Sequence, residues 1–333
     1  MKNTKNFTLS GSLMAVVALG GVCMAADVGV DRQAVENNAL RGGGTALQGT
    51  GREGSSSAKP DSSDTGTQRI VMKKNAILEW DGGVGFSYYY RSNPLNTNGN
   101  LAKNVRSGVF EVSAYGTVSG GNYELFGGVY TPRAGYSLQN ISLTERSLKF
   151  ANYLSQRVFI SNELRFDNLF SITPTLEVSN ITSTEFGTED YKEFFPSVTF
   201  AKILPIDDVS SLRIAYTTGY RFSSVDSLGG TVPGLTANRL DNWTNSFSGV
   251  YARELPLGFL WQGFVDVSNR LFGNGQNRDR SDWLKTVGGS LSYTWKFLRV
   301  AGFLTYSQRS STDLINDYKN LDLGLSSSVS VNF

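Results

Sequence analysis

The chain has 333 residues, with 31 Lys and Arg against 29 Asp and Glu, and no histidine. A balanced chain lacks the basic surface that nucleic acid demands, so no nucleic-acid partner is expected. Charged residues make up 18 % and hydrophobic ones 40 %, whereas soluble domains carry roughly 25 % charged residues; low charge without high hydrophobicity argues against an ordinary soluble enzyme.

Residues 1–25 read as a secretory signal. Lys2 and Lys5 give a positive start, Leu13 to Gly21 an apolar core, and Cys23 and Ala25 small residues at the cleavage-defining positions. Removing them leaves 29 basic against 29 acidic residues and no cysteine, which suits an oxidising compartment. The core is shorter than the roughly twenty residues of a spanning helix. The minor alternative is a lipoprotein acylated on Cys23, although Val22 stands where a small residue is normal. Residues 26–70 form a second region. From Gly42 to Gln68 it is rich in Gly, Ser and Thr and has no aromatic residue, so it is expected to be a flexible, disordered tail. A sharper reading, a plug threading a lumen, is selected by nothing in these residues.

From about residue 71 onward, apolar and polar residues alternate in long segments. Leu78, Trp80, Val84, Phe86, Tyr88 and Tyr90 alternate with Glu79, Asp81, Gly83, Ser87 and Arg91. The same pattern recurs around Phe110–Val118, Val158–Phe166, Leu212–Phe222, Phe259–Val267 and Leu291–Phe297. Alternation with period two marks strands with two unlike faces. These segments match the ten or so residues of a tilted membrane strand, not the five or six usual in soluble domains. Short connections near Leu204–Val209, Glu254–Leu257 and Phe297–Arg299 alternate with long polar ones at Ser223–Asn242, Leu271–Asp282 and Arg309–Lys319. Thirteen segments can be counted, including 122–132 and 138–148, and Pro174 demotes the one that contains it. Residues 71–333 at roughly 22 per strand and connection give twelve strands, with fourteen as the alternative.

The last segment, LDLGLSSSVSVNF from Leu321 to Phe333, has its apolar residues at odd positions and only Ser327 out of pattern. Here the chain resembles the closing strand of bacterial outer-membrane β-barrels, the porin-like class, which ends in an aromatic residue read by the assembly machinery. The resemblance covers residues 71–333 and singles out no family. It implies an all-β antiparallel transmembrane barrel in the Gram-negative outer membrane. It also implies contact with outer-membrane lipid and the barrel assembly machinery, and Val329, Val331 and Phe333 as the assembly signal.

The polar parity carries both signs of charge. Pore-lining candidates are Arg157, Glu163, Arg165, Asp167, Arg213, Arg221, Asp266, Lys296 and Arg299, with Arg91, Glu79, Asp81, Glu111 and Asp322 on the same parity. Two readings stand near parity. One is a porin-like passive channel for small hydrophilic solutes. The other is a closed structural or surface-binding barrel cross-linked by ion pairs and acting through its outer loops. A third would use the tail as the hatch of a small-ligand transporter. The enzymes among outer-membrane barrels resemble Ser-His or Asp-His chemistry, and a chain without histidine cannot carry it over. Catalysis is therefore not expected, nor is a cofactor. The Asn- and Asp-rich stretches Asn93–Asn100 and Asn274–Asp282 match no EF-hand spacing and read as solvated loops.

Overall fold

The computed structural model describes residues 78–96, 106–166, 170–185, 189–224 and 238–332. The expected leader and tail, together with Asp167 and Phe333, lie outside the described residues.

The strands are β1 (Leu78–Arg91), β2 (Ser107–Gly120), β3 (Tyr123–Leu125), β4 (Gly128–Leu143), β5 (Tyr153–Phe166), β6 (Phe170–Ser183) and β7 (Glu189–Asp207). They continue with β8 (Ser210–Ser224), β9 (Asn242–Leu255), β10 (Phe259–Phe272), β11 (Ser281–Trp295), β12 (Leu298–Ser311) and β13 (Tyr318–Asn332). Neighbours pair antiparallel around the whole sheet. β13 returns to β1 in unbroken register, from Asp81 opposite Asn332 to Arg91 opposite Asp322, and closes the barrel. Closure leaves no edge strand with unpaired backbone groups, which is what a β-protein in hydrocarbon requires.

Thirteen segments make twelve staves. β2 pairs with β4 from Val109 to Ser119, and β3 pairs with the same strand from Tyr123 to Leu125, so β3 continues the stave of β2. The predicted strands 122–132 and 138–148 are thereby corrected. The hairpin turns at Phe126 and Gly127, both at positive φ (51° and 75°), and β4 then runs unbroken through what the sequence reading divided. Two central residues at positive φ match the twist of the strands they join.

The strand prolines explain themselves against the hydrogen-bond ladder. Pro174 lies inside β6, contrary to the demotion expected from sequence. It is opposite Val198 on β7, but on the β5 side the pairing is interrupted between Ser161–Thr175 and Leu164–Ile172, with the register unchanged. Pro196 falls where the β7–β8 pairing is interrupted between Phe194–Phe222 and Ser197–Gly219, with the register unchanged, and Pro132 falls at the β2–β3 break. A residue without an N–H is tolerated where the ladder is already interrupted.

The two faces differ sharply. Outward residues such as Val84, Phe86, Val158, Ile160, Val265, Val287, Leu304 and Leu323 are large, apolar and exposed. Aromatic residues gather near both rims of this band. Trp80, Trp261, Tyr293 and Trp295 lie toward the rim with short turns, and Tyr88, Tyr90, Trp243 and Trp283 toward the other. Their amphipathic rings suit the headgroup level. The short-turn rim carries 208–209, 256–258 and 296–297, and the opposite rim carries the longer 144–152, 273–280 and 312–317.

Candidate functional site: the lumen

Register fixes which residues face inward. They are the odd ones on β1, β2, β4 to β8 and β12, and the even ones on β9, β10, β11 and β13. The wall they form has two unlike halves.

The half toward the long-loop rim is packed. Tyr89, Val109, Ile141, Tyr153, Ile181, Tyr191 and Phe272 point inward and are at most 6 % exposed. Leu148, from the short 3-10 turn Arg146–Ala151, and Leu240, from the connection before β9, join the same cluster. Asn152 fixes the turn from both sides. Its side-chain oxygen accepts the Leu143 N–H at 2.8 Å, and its carbonyl accepts the Thr184 N–H at 3.1 Å. Buried ion pairs are set among these apolar side chains. Arg91 donates from Nε to Asp322 at 3.2 Å, Arg221 from Nη1 to Glu193 at 2.7 Å, and Arg280 from Nη2 to Asp282 at 2.6 Å. Arg221 also stacks 3.7 Å over the Phe195 ring and donates from Nε to Thr244 Oγ1 at 2.9 Å. Tyr191 donates its hydroxyl to Glu193. Buried charges need such pairing and hydrogen bonding, since an isolated one is very costly.

The half toward the short-turn rim is different. Its wall on β1, β2, β4 and β13 carries the half-buried Gly83, Gly85, Ser113, Ser137, Ser326 and Ser328, with the Tyr115 ring against Gly83, while on β10 to β12 Gln262, Phe264, Ser290 and Ser292 are buried. A twelve-stranded barrel is wider than the eight-stranded kind that side chains fill, and glycine and serine cannot fill it. Along β4 and β5 Arg133 and Arg165 lie in this half and Arg157 just below the packed cluster. Arg133 is 3.1 Å and Arg165 3.5 Å from the Glu163 carboxylate, and Arg157 is 2.5 Å from Glu177. Across the lumen, Asp266 accepts a hydrogen bond from Ser246 at 2.7 Å. Arg299 donates from Nη2 to Gln262 at 3.1 Å and to Ser292 at 2.9 Å.

An apolar outer band, two aromatic girdles and a polar inner wall in a closed sheet leave one environment for this surface, a lipid bilayer. The chain is a membrane-spanning β-barrel.

The candidates from sequence are distributed as follows. Arg157, Glu163, Arg165, Arg213, Arg221, Asp266 and Arg299 lie on inward parity. Arg221 belongs to the packed half, so it lines no open passage in this structure. Lys296 is in the β11–β12 turn at positive φ (55°), exposed at the rim against Trp295 and off the wall. Val329 and Val331 lie on the outward parity of β13. Sequence reasoning missed Arg133, Glu177 and Glu193, the partners that set the local electrostatics. Arg133 fell in a supposed connection and Glu177 in the segment demoted by Pro174; only the correct register brings them inward.

No protein-family model matches the chain, and neither does any curated protein. Among solved structures, it is similar to an outer-membrane channel from Pseudomonas putida F1, at 8 % identity and a TM-score of 0.47 over 79 % of this chain and 100 % of that one. It is also similar to the NanC porin, at 10 % identity and 0.42 over 74 % and 98 %. The translocator domain of the autotransporter NalP from Neisseria meningitidis follows at 9 % and 0.40 over 78 % and 90 %. At this level of overlap, the register and burial above carry the argument about architecture.

Proposed function

We propose that the barrel is a porin-like passive channel for small hydrophilic solutes, held closed in this structure at its long-loop end. The observation that carries the reading is the small-residue wall of the short-turn half. A barrel serving only as a scaffold has no reason to line β1, β2, β4 and β13 there with half-buried glycine and serine. The packed half supports a second reading, a sealed barrel acting through its outer loops.

Single-channel recording on the refolded protein in a planar bilayer separates them. The channel reading expects discrete, ohmic openings with a low open fraction. Replacing Leu148 and Leu240 by Ser weakens the apolar cluster from its loop side, and is expected to raise the open fraction without changing insertion. Wild type and variant that both insert and stay silent would establish the sealed barrel.

A further inference from the structure

Below the packed cluster, charge is divided unequally between water and wall. Arg157 keeps 34 % of its side chain exposed, while its partner Glu177 keeps 3 %. Arg133 keeps 25 % and Arg165 28 %, while the Glu163 they share keeps 6 %. In both groups the carboxylate lies behind and the guanidinium meets the solvent. Arg213 of β8, half-buried, lies on the same inward parity. Among the described residues of β4 to β8 below the cluster, four guanidiniums therefore stand over two carboxylates. The other inward-parity charges here, Glu79 and Asp81 of β1, Glu254 of β9, Asp266 of β10 and Arg299 of β12, belong to staves beyond this stretch.

The arginines are also ordered along the wall. Arg165 and Arg157 are eight residues apart on β5, roughly 26 Å along an extended strand. Arg133 faces Ser161, midway between them. Phe159 lies 5.5 Å from the Arg157 guanidinium and supports it from one side. Guanidiniums held in place by carboxylates and a ring lose little freedom when they bind, and their forked donors match planar oxyanions. A cleft lined by one sign of charge concentrates counter-ions of the other.

We propose that Arg165, Arg133 and Arg157 form a binding track for small, multiply charged oxyanions, carboxylates or phosphate esters, entering from the short-turn rim. The track rests on the channel reading for its place in transport, but binding at it does not require conduction.

The test is calorimetric titration of citrate into the refolded protein in detergent at low salt. Folding is checked by the heat-dependent shift in electrophoretic mobility. Saturable binding is expected, weakened by high salt and at least about tenfold weaker in the Arg157→Gln/Arg165→Gln variant. Lys285→Gln, on the outer face, is expected to bind as wild type does. On wild type alone, inorganic phosphate is expected to displace citrate and a neutral sugar to leave it bound. No binding by folded wild type, binding unchanged in the double variant, or displacement by the sugar would each overturn the track. Citrate binding by a protein silent in the bilayer would keep the track and overturn the channel.

Discussion

At the scale of single residues, the closing seam between β13 and β1 concentrates the most demanding contacts. Gly324 lies opposite Tyr89. A Cβ there would stand 2.2 Å from the Tyr89 Cβ and 2.4 Å from the Tyr88 carbonyl oxygen, both set by the backbone. Glycine is required by close approach, and it lets Tyr89 lie inward edge-on to Phe303, with ring centroids 5.6 Å apart. Gly324→Val is expected to cost at least about 1–3 kcal/mol by overpacking, read as a lower unfolding midpoint in urea. Two residues toward the rim, Arg91 and Asp322 are both nearly inaccessible. Arg91→Ala strands a buried carboxylate and is expected to cost about 3–5 kcal/mol, whereas the apolar pair Arg91→Met/Asp322→Leu recovers much of that loss. A double variant no more stable than Arg91→Ala would show that the pair is not the dominant interaction there. Both charges were legible as inward from the alternation of β1 and β13. Their pairing was not, because 231 positions separate them in the chain.

At the scale of the strand, what matters is which face meets lipid and where along the strand a residue sits. Val265 is outward near the middle of β10, and Trp295 is outward at the short-turn end of β11. Val265→Arg is expected to cost about 2–4 kcal/mol and Trp295→Arg at most about 1 kcal/mol from charge alone, because the penalty falls from midplane to interface. Equal costs, measured by unfolding in lipid vesicles, would remove the bilayer interpretation of the band. Strand existence was legible wherever alternation was clean, as in β1, β10 and β13. Around Val158–Phe166 it was also legible; it was misdivided at 122–148 and demoted at Pro174, where prolines sit in true strands. Sequence shows that a proline lacks its N–H, but not that the ladder beside it is interrupted. The ladder break at Pro174 is a tertiary fact, because the skipped partners belong to β5.

At the scale of the whole molecule, the lumen is asymmetric along its axis. One half is filled by large side chains and capped by Leu148 and Leu240, and the other is lined on β1, β2, β4, β5 and β13 largely by glycine, serine and arginine. Access from the short-turn side therefore differs from access from the long-loop side. Water-soluble reagents are expected to modify a cysteine introduced at Ser328 far faster than one introduced at Ser307, which is inward but 3 % exposed. Equal labelling rates would mean that the packed half opens freely in solution, and would remove the closed end from the channel reading.

The sequence by itself determined the class. Period-two alternation over long segments, and low charge without high hydrophobicity, pointed to a membrane barrel of about twelve strands, because side-chain parity is a local property of extended chain. It also sorted most charges to the inner face. Tertiary structure alone decided that β2 and β3 share one stave, that Arg133, Glu177 and Glu193 complete the ionic groups, and that one end of the lumen is filled. Those outcomes depend on which strand lies beside which, in what register, and on which loops fold back over the rim. The register between neighbouring strands sets the first two and the loops over the rim contribute to the third, and no single segment's pattern encodes either.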